Sequence, residues 1–234
     1  GVNFEDGSSQ DSDIVISNVD PMHLYNSMVP TSVQTLSTRI KRKHARLSMG
    51  LYVLYFGTTK QYPDVAHHTI WLGERYEELL NDIFKRKQLA EDFSLYVHRP
   101  TATDPSFAPQ GCDSFYVLAP VPNLNADIDW SVEGKRLQDR IVKALSETML
   151  PGLEEHITAD FFMTPQDFKH DYLSAAGAGF SIAPFFTQSA WFRFHNKAEG
   201  LKGLYLTGAG THPGAGMPGV LCSAKVVEKL LPEV

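Results

Sequence analysis

The stretch Leu204-Tyr205-Leu206-Thr207-Gly208-Ala209-Gly210-Thr211-His212-Pro213-Gly214-Ala215-Gly216-Met217-Pro218-Gly219 decides how the rest of this chain is interpreted. It begins as a short apolar strand, continues as a run of small residues, and leads into a predicted helix from Val220 to Leu231. Glycine has no side chain and adopts positive φ readily, so such a loop lets the backbone approach a large flat ligand. Pro218 suits the first helical turn, whose free N–H groups attract anionic or electron-rich groups. The stretch therefore predicts a cofactor contact made by backbone, with a simple tight turn as the alternative.

The spacing of its glycines matches the G-x-G-x-x-G pattern between Gly214 and Gly219. The dinucleotide-binding fingerprint, however, needs a strand directly before the glycines and an acidic residue about 20 positions later in a βαβ unit. Here a loop comes between the strand and the glycines, and the sequence ends before another strand. We therefore predict a second, closing contact on a cofactor that is held mainly elsewhere.

Composition excludes several classes of protein. The 234 residues carry a formal net charge of −6, which gives no reason to expect nucleic acid as a partner. Cys112 and Cys222 form neither a disulfide framework nor a metal-type spacing, so both are predicted to be reduced thiols. No apolar run reaches the roughly 18 residues of a membrane-spanning helix, and no signal peptide is visible. Because the sequence begins with Gly1, we expect a further segment upstream.

Motifs for common catalytic chemistries are absent from the sequence. It contains neither a G-x-S-x-G nucleophile elbow nor a P-loop. Nine histidines are present, but His67 and His68 are adjacent and are predicted to point to opposite faces of a strand. The sequence therefore predicts no metal site. His212 is the one titratable residue inside the Gly-rich loop, where it either lies near the ligand or bonds only to loop backbone.

The pattern of apolar residues predicts a mixed α/β chain. Val2–Phe4 and Ile14–Ile16 are predicted to pair as a hairpin, and Asp20 is predicted to cap a helix that runs to about Leu36. The longest predicted helix covers Trp130–Leu150. We expect residues 1–21 and 201–234 to form one domain and residues 22–200 to form an inserted second domain.

Two clusters of residues have a structural and a functional interpretation. A basic cluster is either a solvated helix end or a contact for anionic lipid headgroups; it comprises Arg39, Lys41, Arg42, Lys43, His44 and Arg46. An aromatic cluster is either core or the wall of a tunnel for a long apolar substrate; it comprises Phe185, Phe186, Trp191, Phe192 and Phe194.

The residues quoted at the start resemble the C-terminal signature of bacterial-type phytoene desaturases, which are FAD-dependent enzymes of carotenoid biosynthesis. Internal segments extend the resemblance over essentially the whole chain. They are Ser17–Asp20, Val53–Gly57, Ala66–Thr69, Ala90–Tyr96, Tyr116–Pro122 and Gln188–Arg193. The resemblance implies part of a Rossmann-type FAD-binding domain, at residues 1–21 and 201–234, and an inserted substrate domain of mixed sheet and helices, at 22–200.

The resemblance also implies a function. Two hydrogens would be removed from a C–C single bond of phytoene, toward zeta-carotene, neurosporene or lycopene, with hydride passing to FAD. The protein would be cytoplasmic and would associate peripherally with the membrane that holds this substrate; its oligomeric state and its catalytic acid or base stay open. The residues implied to contact FAD are Gly208, Ala209, Gly210, Thr211, His212, Pro213, Gly214, Ala215, Gly216, Met217, Pro218 and Gly219.

The sequence departs from the family at its beginning, because the strand–GxGxxG–helix unit that grips FAD is missing. The chain is therefore expected to correspond to the C-terminal half of such an enzyme, and Gly210→Val is expected to abolish flavin retention in the complete protein. A carotenoid isomerase or another carotenoid desaturase is the alternative on the same fold. A half-protein without catalysis that binds a separate FAD-binding chain is the alternative from a different class.

Overall fold

The structure is a computed structural model that describes residues 1–232. It divides into two compact units. Residues 1–48 and 169–232 form the terminal unit, and Met49–Phe168 form the sheet unit. The predicted boundaries differ from this division, because they place 22–48 and 169–200 with the inserted part. Met22, Tyr25 and Phe194 explain the difference, since they are buried in one core with Leu206 of the terminal strand.

Strands and helices are interspersed along the chain, with short helical turns between some of them. The strands are β1 (Val2–Asn3), β2 (Ser9–Gln10), β3 (Val15–Ser17), β4 (Gly50–Thr58), β5 (His68–Trp71), β6 (Leu95–His98), β7 (Asp113–Val121), β8 (Ile157–Met163) and β9 (Leu204–Leu206). The α-helices are α1 (Pro21–His23), α2 (Leu36–His44), α3 (Tyr76–Asn81), α4 (Trp130–Glu147), α5 (Leu153–His156), α6 (Pro165–Asp171) and α7 (Met217–Leu230). This confirms the predicted mixed α/β class.

The sheet unit is built on five antiparallel strands in the order β5-β6-β7-β4-β8. Strand β7 alternates strictly, with Phe115, Val117 and Ala119 buried and the residues between them half-buried. Successive strand side chains point to opposite faces, so the buried residues mark the face that carries the core.

Helix α4 belongs to that core. Asp129 caps its first turn by accepting a hydrogen bond from the Ser131 N–H at 3.0 Å. Leu137, Ile141 and Leu145 recur at helical spacing and are fully buried in the same cluster as the strand residues. Each such side chain contributes about 1.5–3 kcal/mol of hydrophobic stabilisation.

The terminal unit is organised around a parallel pair of strands. Strand β3 pairs with β9, Val15 lying opposite Leu204 and Ser17 opposite Leu206. The predicted hairpin between Val2–Phe4 and Ile14–Ile16 is therefore wrong, since β1 pairs with β2 instead. The Asp6-Gly7 turn signal correctly indicates a hairpin that begins with β1. It does not indicate that β2 is the second strand of that hairpin.

The chain leaves β3 through a helix start that the sequence predicts correctly. The Asp20 carboxylate accepts a hydrogen bond from the Met22 N–H at 2.8 Å, and Pro21 occupies the first helical position. The predicted extension to Leu36 is wrong. Helix α1 passes into a π-helical turn that ends at Met28, and Val29 is extended. Pro30 accounts for this end, because the residue before a proline is driven out of the helical region.

Among residues 1–232, no helix combines the length and the apolar character needed to cross a lipid bilayer.

Candidate functional site

The Gly-rich loop, defined as residues 207–216, joins β9 to α7 in the terminal unit. Ser223 of α7 is fully buried and anchors the start of this loop. Its Oγ accepts a hydrogen bond from the Gly208 N–H at 2.9 Å and lies 2.7 Å from Thr207 Oγ1. The same hydroxyl donates to the Val220 carbonyl at 2.6 Å, so Thr207 is the donor in the pair. These bonds connect the loop directly to the first turns of α7.

A buried arginine holds the inner side of the loop. Arg193 Nε donates to the carbonyl oxygens of Ala209 at 3.2 Å and Thr211 at 3.1 Å, and its Nη2 donates to Ala209 at 2.5 Å. Burial lowers the pKa of the Arg193 guanidinium, and the nearby charge of Asp20 partly opposes this. The pKa of arginine starts so high that the group stays a cation at any working pH.

Asn196 completes this support. Its Nδ2 donates to the carbonyl oxygens of Leu206 at 3.1 Å and His212 at 2.9 Å. The sequence pattern predicts neither Arg193 nor Asn196 as a determinant of the loop. The only signal available was that a loop rich in glycine presents many carbonyl groups that need donors when they are buried.

The first half of the predicted ligand contact turns inward. Thr211 is fully buried, and Gly210 is buried as well. A Cβ atom at Gly210 would lie 2.3 Å from Pro21 Cδ and 2.6 Å from Ser181 Oγ. Glycine is therefore required at this position because the loop packs closely against the start of α1.

The second half of the predicted contact lies at the surface. His212, Pro213 and residues 215–218 are exposed, and the His212–Pro213 peptide bond is cis. Gly216 has φ +91°, and nothing lies within 4 Å of the point where its Cβ would be. It precedes α7 without a side-chain cap, and the first helical bond runs from the Val220 N–H to the Gly216 carbonyl at 2.9 Å. The first turn of α7 therefore has no side-chain cap for its N–H groups.

His212 makes a backbone contact and also borders a cavity. Its N–H donates to the Phe194 carbonyl at 3.0 Å. The residue also lines a surface cavity of about 660 Å³ together with Trp191, His195 and Glu199. Both interpretations of His212 stay predictions.

A row of ring side chains crosses the open face of the sheet, one from each strand. We call it the aromatic row, and it consists of His68, His98, Tyr116, Tyr55 and Phe161. Strand register places each of these residues directly opposite the next. Successive ring centroids lie 5.2, 5.4, 5.7 and 4.5 Å apart. With strands about 4.8 Å apart, the row extends over roughly 19 Å.

The aromatic row borders a second cavity, of about 430 Å³, whose lining includes Tyr55, Tyr116, Phe161 and His98. Burial raises the pKa of the Tyr116 phenol, and Tyr96 and Tyr55 add to this effect. Tyr116 is therefore a neutral phenol at neutral pH. This face offers mostly flat apolar surface with few polar groups at its edge, which is typical of a site for an apolar ligand.

Three histidines meet at one end of the aromatic row. The sequence prediction that His67 and His68 point to opposite faces of a strand is therefore wrong. The rings of His67 and His68 are 4.3 Å apart, and that of His98 is 4.8 Å from His67. Strand β5 begins only at His68, so the alternation rule does not apply to His67. Burial lowers the pKa of His98, and the neighbouring His67 and His68 lower it further.

The basic cluster divides into inward and outward residues. Lys41 forms an ion pair with Glu199 at 2.8 Å, and Arg42 donates to the Tyr25 carbonyl at 2.9 Å. The other members of the cluster are exposed, namely Arg39, Lys43, His44 and Arg46. Only the outward residues are therefore available to a partner.

The predicted aromatic cluster is mostly exposed. Phe194 alone is buried, stacking on Tyr25 at 5.5 Å, whereas Phe186 is 87% and Trp191 75% exposed. The Arg46 guanidinium lies 4.4 Å from the centre of the Phe185 ring. Interpreting the cluster as core is therefore wrong for four of its five members, and the exposed rings begin beside the basic cluster.

The sequence predicts that both cysteines are reduced thiols. Cys112 is half-buried, Cys222 is exposed, and both are free thiols.

Comparison with known proteins identifies the family of this chain. The family model described as flavin containing amine oxidoreductase matches residues 1–227. The chain is 48% identical to a neurosporene-forming phytoene desaturase of Rhodobacter capsulatus, over 100% of the chain and 45% of that protein. It is 49% identical to a lycopene-forming phytoene desaturase of Pseudescherichia vulneris, over 99% of the chain and 47% of that protein. The chain thus spans about half the length of the curated relatives it matches.

A solved oxidoreductase from Methanosarcina mazei superimposes with a TM-score of 0.59 at 15% identity, over 96% of this chain and 44% of the other. At that identity the likeness concerns the fold alone, and it agrees with the mixed α/β architecture. The family match and the two desaturases confirm the resemblance to phytoene desaturases that the sequence motifs indicate. The chain belongs to the flavin containing amine oxidoreductase family.

Proposed function

We propose that the protein containing this chain is an FAD-dependent desaturase that removes hydrogen from a long polyene of the phytoene class. The proposal is supported by phytoene desaturases that are 48–49% identical across the whole chain. The observation within the structure that carries it is the aromatic row, because a polyene is a long flat apolar chain.

The exposed half of the Gly-rich loop fits a flavin. Ala215 and Gly216 leave the backbone uncovered, and α7 begins beside them with uncapped N–H groups. A helix start of this kind suits an anionic or electron-rich group, which the pyrophosphate and the isoalloxazine edge both supply. His212, Pro213 and residues 215–218 would therefore face the cofactor, while Gly208, Ala209, Gly210, Thr211 and Gly214 would hold the loop in place. When bound, FAD supplies the acceptor for hydride.

The aromatic row fits the substrate. Ring faces pack on flat conjugated chains without needing hydrogen-bond partners, and the rings of Tyr55 and Phe161 are parallel within 12°. This chain would contribute alignment of the polyene and exclusion of water, while Tyr116 stays uncharged. No side chain is assigned here as a catalytic acid or base.

The reaction itself is tested with the purified full-length protein, loaded with FAD and mixed anaerobically with phytoene in vesicles. We expect loss of the oxidised-flavin absorbance together with a product of longer conjugation and two fewer hydrogens per step. An isomerase would leave both the flavin spectrum and the product mass unchanged. A half-protein without catalysis would leave phytoene intact, and either result would overturn the proposal.

The substrate surface is tested by Phe161→Ala. We expect KM for phytoene to rise about two- to tenfold, because an aromatic contact is worth about 0.5–1.5 kcal/mol beyond its area. Phe107→Ala is the matched control, since Phe107 is 61% exposed and Phe161 58%, yet Phe107 does not line the cavity. Steady-state kinetics measures both variants. An equal rise of KM in the two variants would contradict a role of the aromatic row in binding the substrate.

We also propose peripheral contact with a membrane through the outward basic residues and the exposed aromatic rings. Such a combination suits the interface between anionic headgroups and acyl chains. The double variant Arg39→Glu/Lys43→Glu should weaken binding to anionic vesicles about 30-fold, since each basic residue contributes about 1 kcal/mol near such a surface.

Sedimentation with vesicles of phosphatidylserine and phosphatidylcholine measures this effect. The control is Lys135→Glu/Lys143→Glu, which reverses two charges on the exposed face of α4. A loss of the same size in the control would indicate a response to net charge only, and would contradict contact through this surface.

A further inference from the structure

We propose that His67, His68 and His98 form a binding site for a divalent d-block cation of the Zn²⁺ type. We call these residues the histidine cluster. One nitrogen atom from each residue lies within 4.8 Å of the others. Within residues 1–232, no other group of three His, Cys, Asp or Glu side chains meets this condition.

The spacing of two of the nitrogens already suits a shared cation. His67 Nε2 and His98 Nε2 are 2.9 Å apart. Zn–N bonds of about 2.0–2.1 Å in a tetrahedral site place two ligand nitrogens roughly 3.3 Å apart. Two facing imidazole nitrogens repel each other unless a proton or a cation lies between them. A small rotation of the rings would admit the cation.

Hydrogen bonds from outside the cluster orient two of the rings. Tyr96 Oη lies 2.7 Å from His68 Nδ1, and Thr103 Oγ1 is hydrogen-bonded to His67 Nδ1. When Nδ1 donates its proton to an oxygen, Nε2 keeps its lone pair and can act as a ligand. Metal-binding histidines are commonly held in this way by a second group on the other nitrogen.

The backbone also prepares the cluster. His68 and His98 lie directly opposite each other in the β5–β6 pair, so the sheet sets the distance between them. His67 is the preceding residue and lies just outside the strand, which lets its ring turn to the same side. Strand β5 is at the edge of the sheet. A bound cation would therefore link this edge strand to its only neighbour.

The ligand set selects the class of cation. Three imidazoles without a carboxylate favour Zn²⁺, Cu²⁺ or Ni²⁺ over Mg²⁺ and Ca²⁺, which prefer oxygen ligands. His68 is exposed, so water can occupy a fourth position. Cation binding is measured independently of the proposed desaturase activity, although His68 and His98 also belong to the aromatic row.

The test is a titration of the purified full-length protein with Zn²⁺ after dialysis against a chelator. Calorimetry should give one saturable equivalent, and Co²⁺ should give visible absorption bands of a site with nitrogen ligands. A saturating cation also stabilises the folded state, so the unfolding temperature should rise on addition of Zn²⁺. Absence of saturable binding would overturn the proposal.

Three variants distinguish this site from nonspecific binding of Zn²⁺ to surface histidines. His98→Ala should abolish the saturable equivalent. Tyr96→Phe keeps the ring but removes the hydroxyl that orients His68, and should weaken affinity by about 10–100-fold. His170→Ala is the control, since the exposed ring of that histidine bonds to the adjacent Asp171 and lies outside the histidine cluster. Unchanged Zn²⁺ affinity in both His98→Ala and Tyr96→Phe, or an equal loss in His170→Ala, would contradict the site.

Discussion

Gly210→Val is expected to lower the free energy of unfolding by about 1–3 kcal/mol, the usual cost of overfilling a packed site. The new Cβ would lie 2.3 Å from Pro21 Cδ and 2.6 Å from Ser181 Oγ. Neither neighbour can move far, because Pro21 is held by its ring in the first turn of α1. Ser181 in turn donates to Asp20, the residue that caps this turn, at 3.1 Å.

Chemical denaturation of the full-length protein measures this effect, with flavin content determined in parallel. The control is Gly57→Val, because a Cβ at Gly57 would make only an ordinary contact of 3.6 Å. The sequence alone predicts that Gly210→Val abolishes flavin retention through a direct contact. Loss of flavin with an unchanged free energy of unfolding would support that direct contact and would contradict packing as the reason for this glycine.

Arg193→Met is expected to destabilise the terminal unit by about 3 kcal/mol. Hydrogen bonds from a charged donor are worth about 1.5–3 kcal/mol, and their loss leaves buried acceptors unpaired. Methionine retains much of the apolar volume but cannot donate to the carbonyl oxygens of Ala209 and Thr211. The Gly-rich loop would lose its inner support, so flavin affinity is expected to fall as well.

Arg136→Met is the matched control. Arg136 lies on α4 and forms an exposed ion pair with Glu133 at 2.8 Å. Exposed pairs of this kind contribute about 0–1 kcal/mol, so its replacement should be nearly silent. Denaturation curves that shift equally for the two variants would show that the buried hydrogen bonds of Arg193 do not stabilise the loop.

Local features of the fold could be predicted because their causes lie within a few residues. The cap at Asp20 depends on a carboxylate that accepts a hydrogen bond from the N–H two residues later. Helix α4 depends on apolar spacing along one face. The family resemblance also came from local motifs, above all the Gly-rich loop.

Strand pairing could not be predicted in the same way. The Asp6-Gly7 turn predicts a hairpin, but Ile16 pairs with Tyr205, far away in the sequence. The grouping of residues 22–48 with the terminal strands in one compact unit could not be predicted for the same reason, since burial of Tyr25 against Phe194 depends on contacts made only in the folded chain.

By itself, the sequence determined the mixed α/β class and the family, and it predicts which loop would meet a flavin. Only the tertiary structure decided which half of that loop faces outward, because the buried donor Arg193 and the close approach of Pro21 act across long separations in the chain. It also brought His67, His68 and His98 together and aligned the aromatic row. Both follow from strand register, which sets distances that no local spacing of residues reveals.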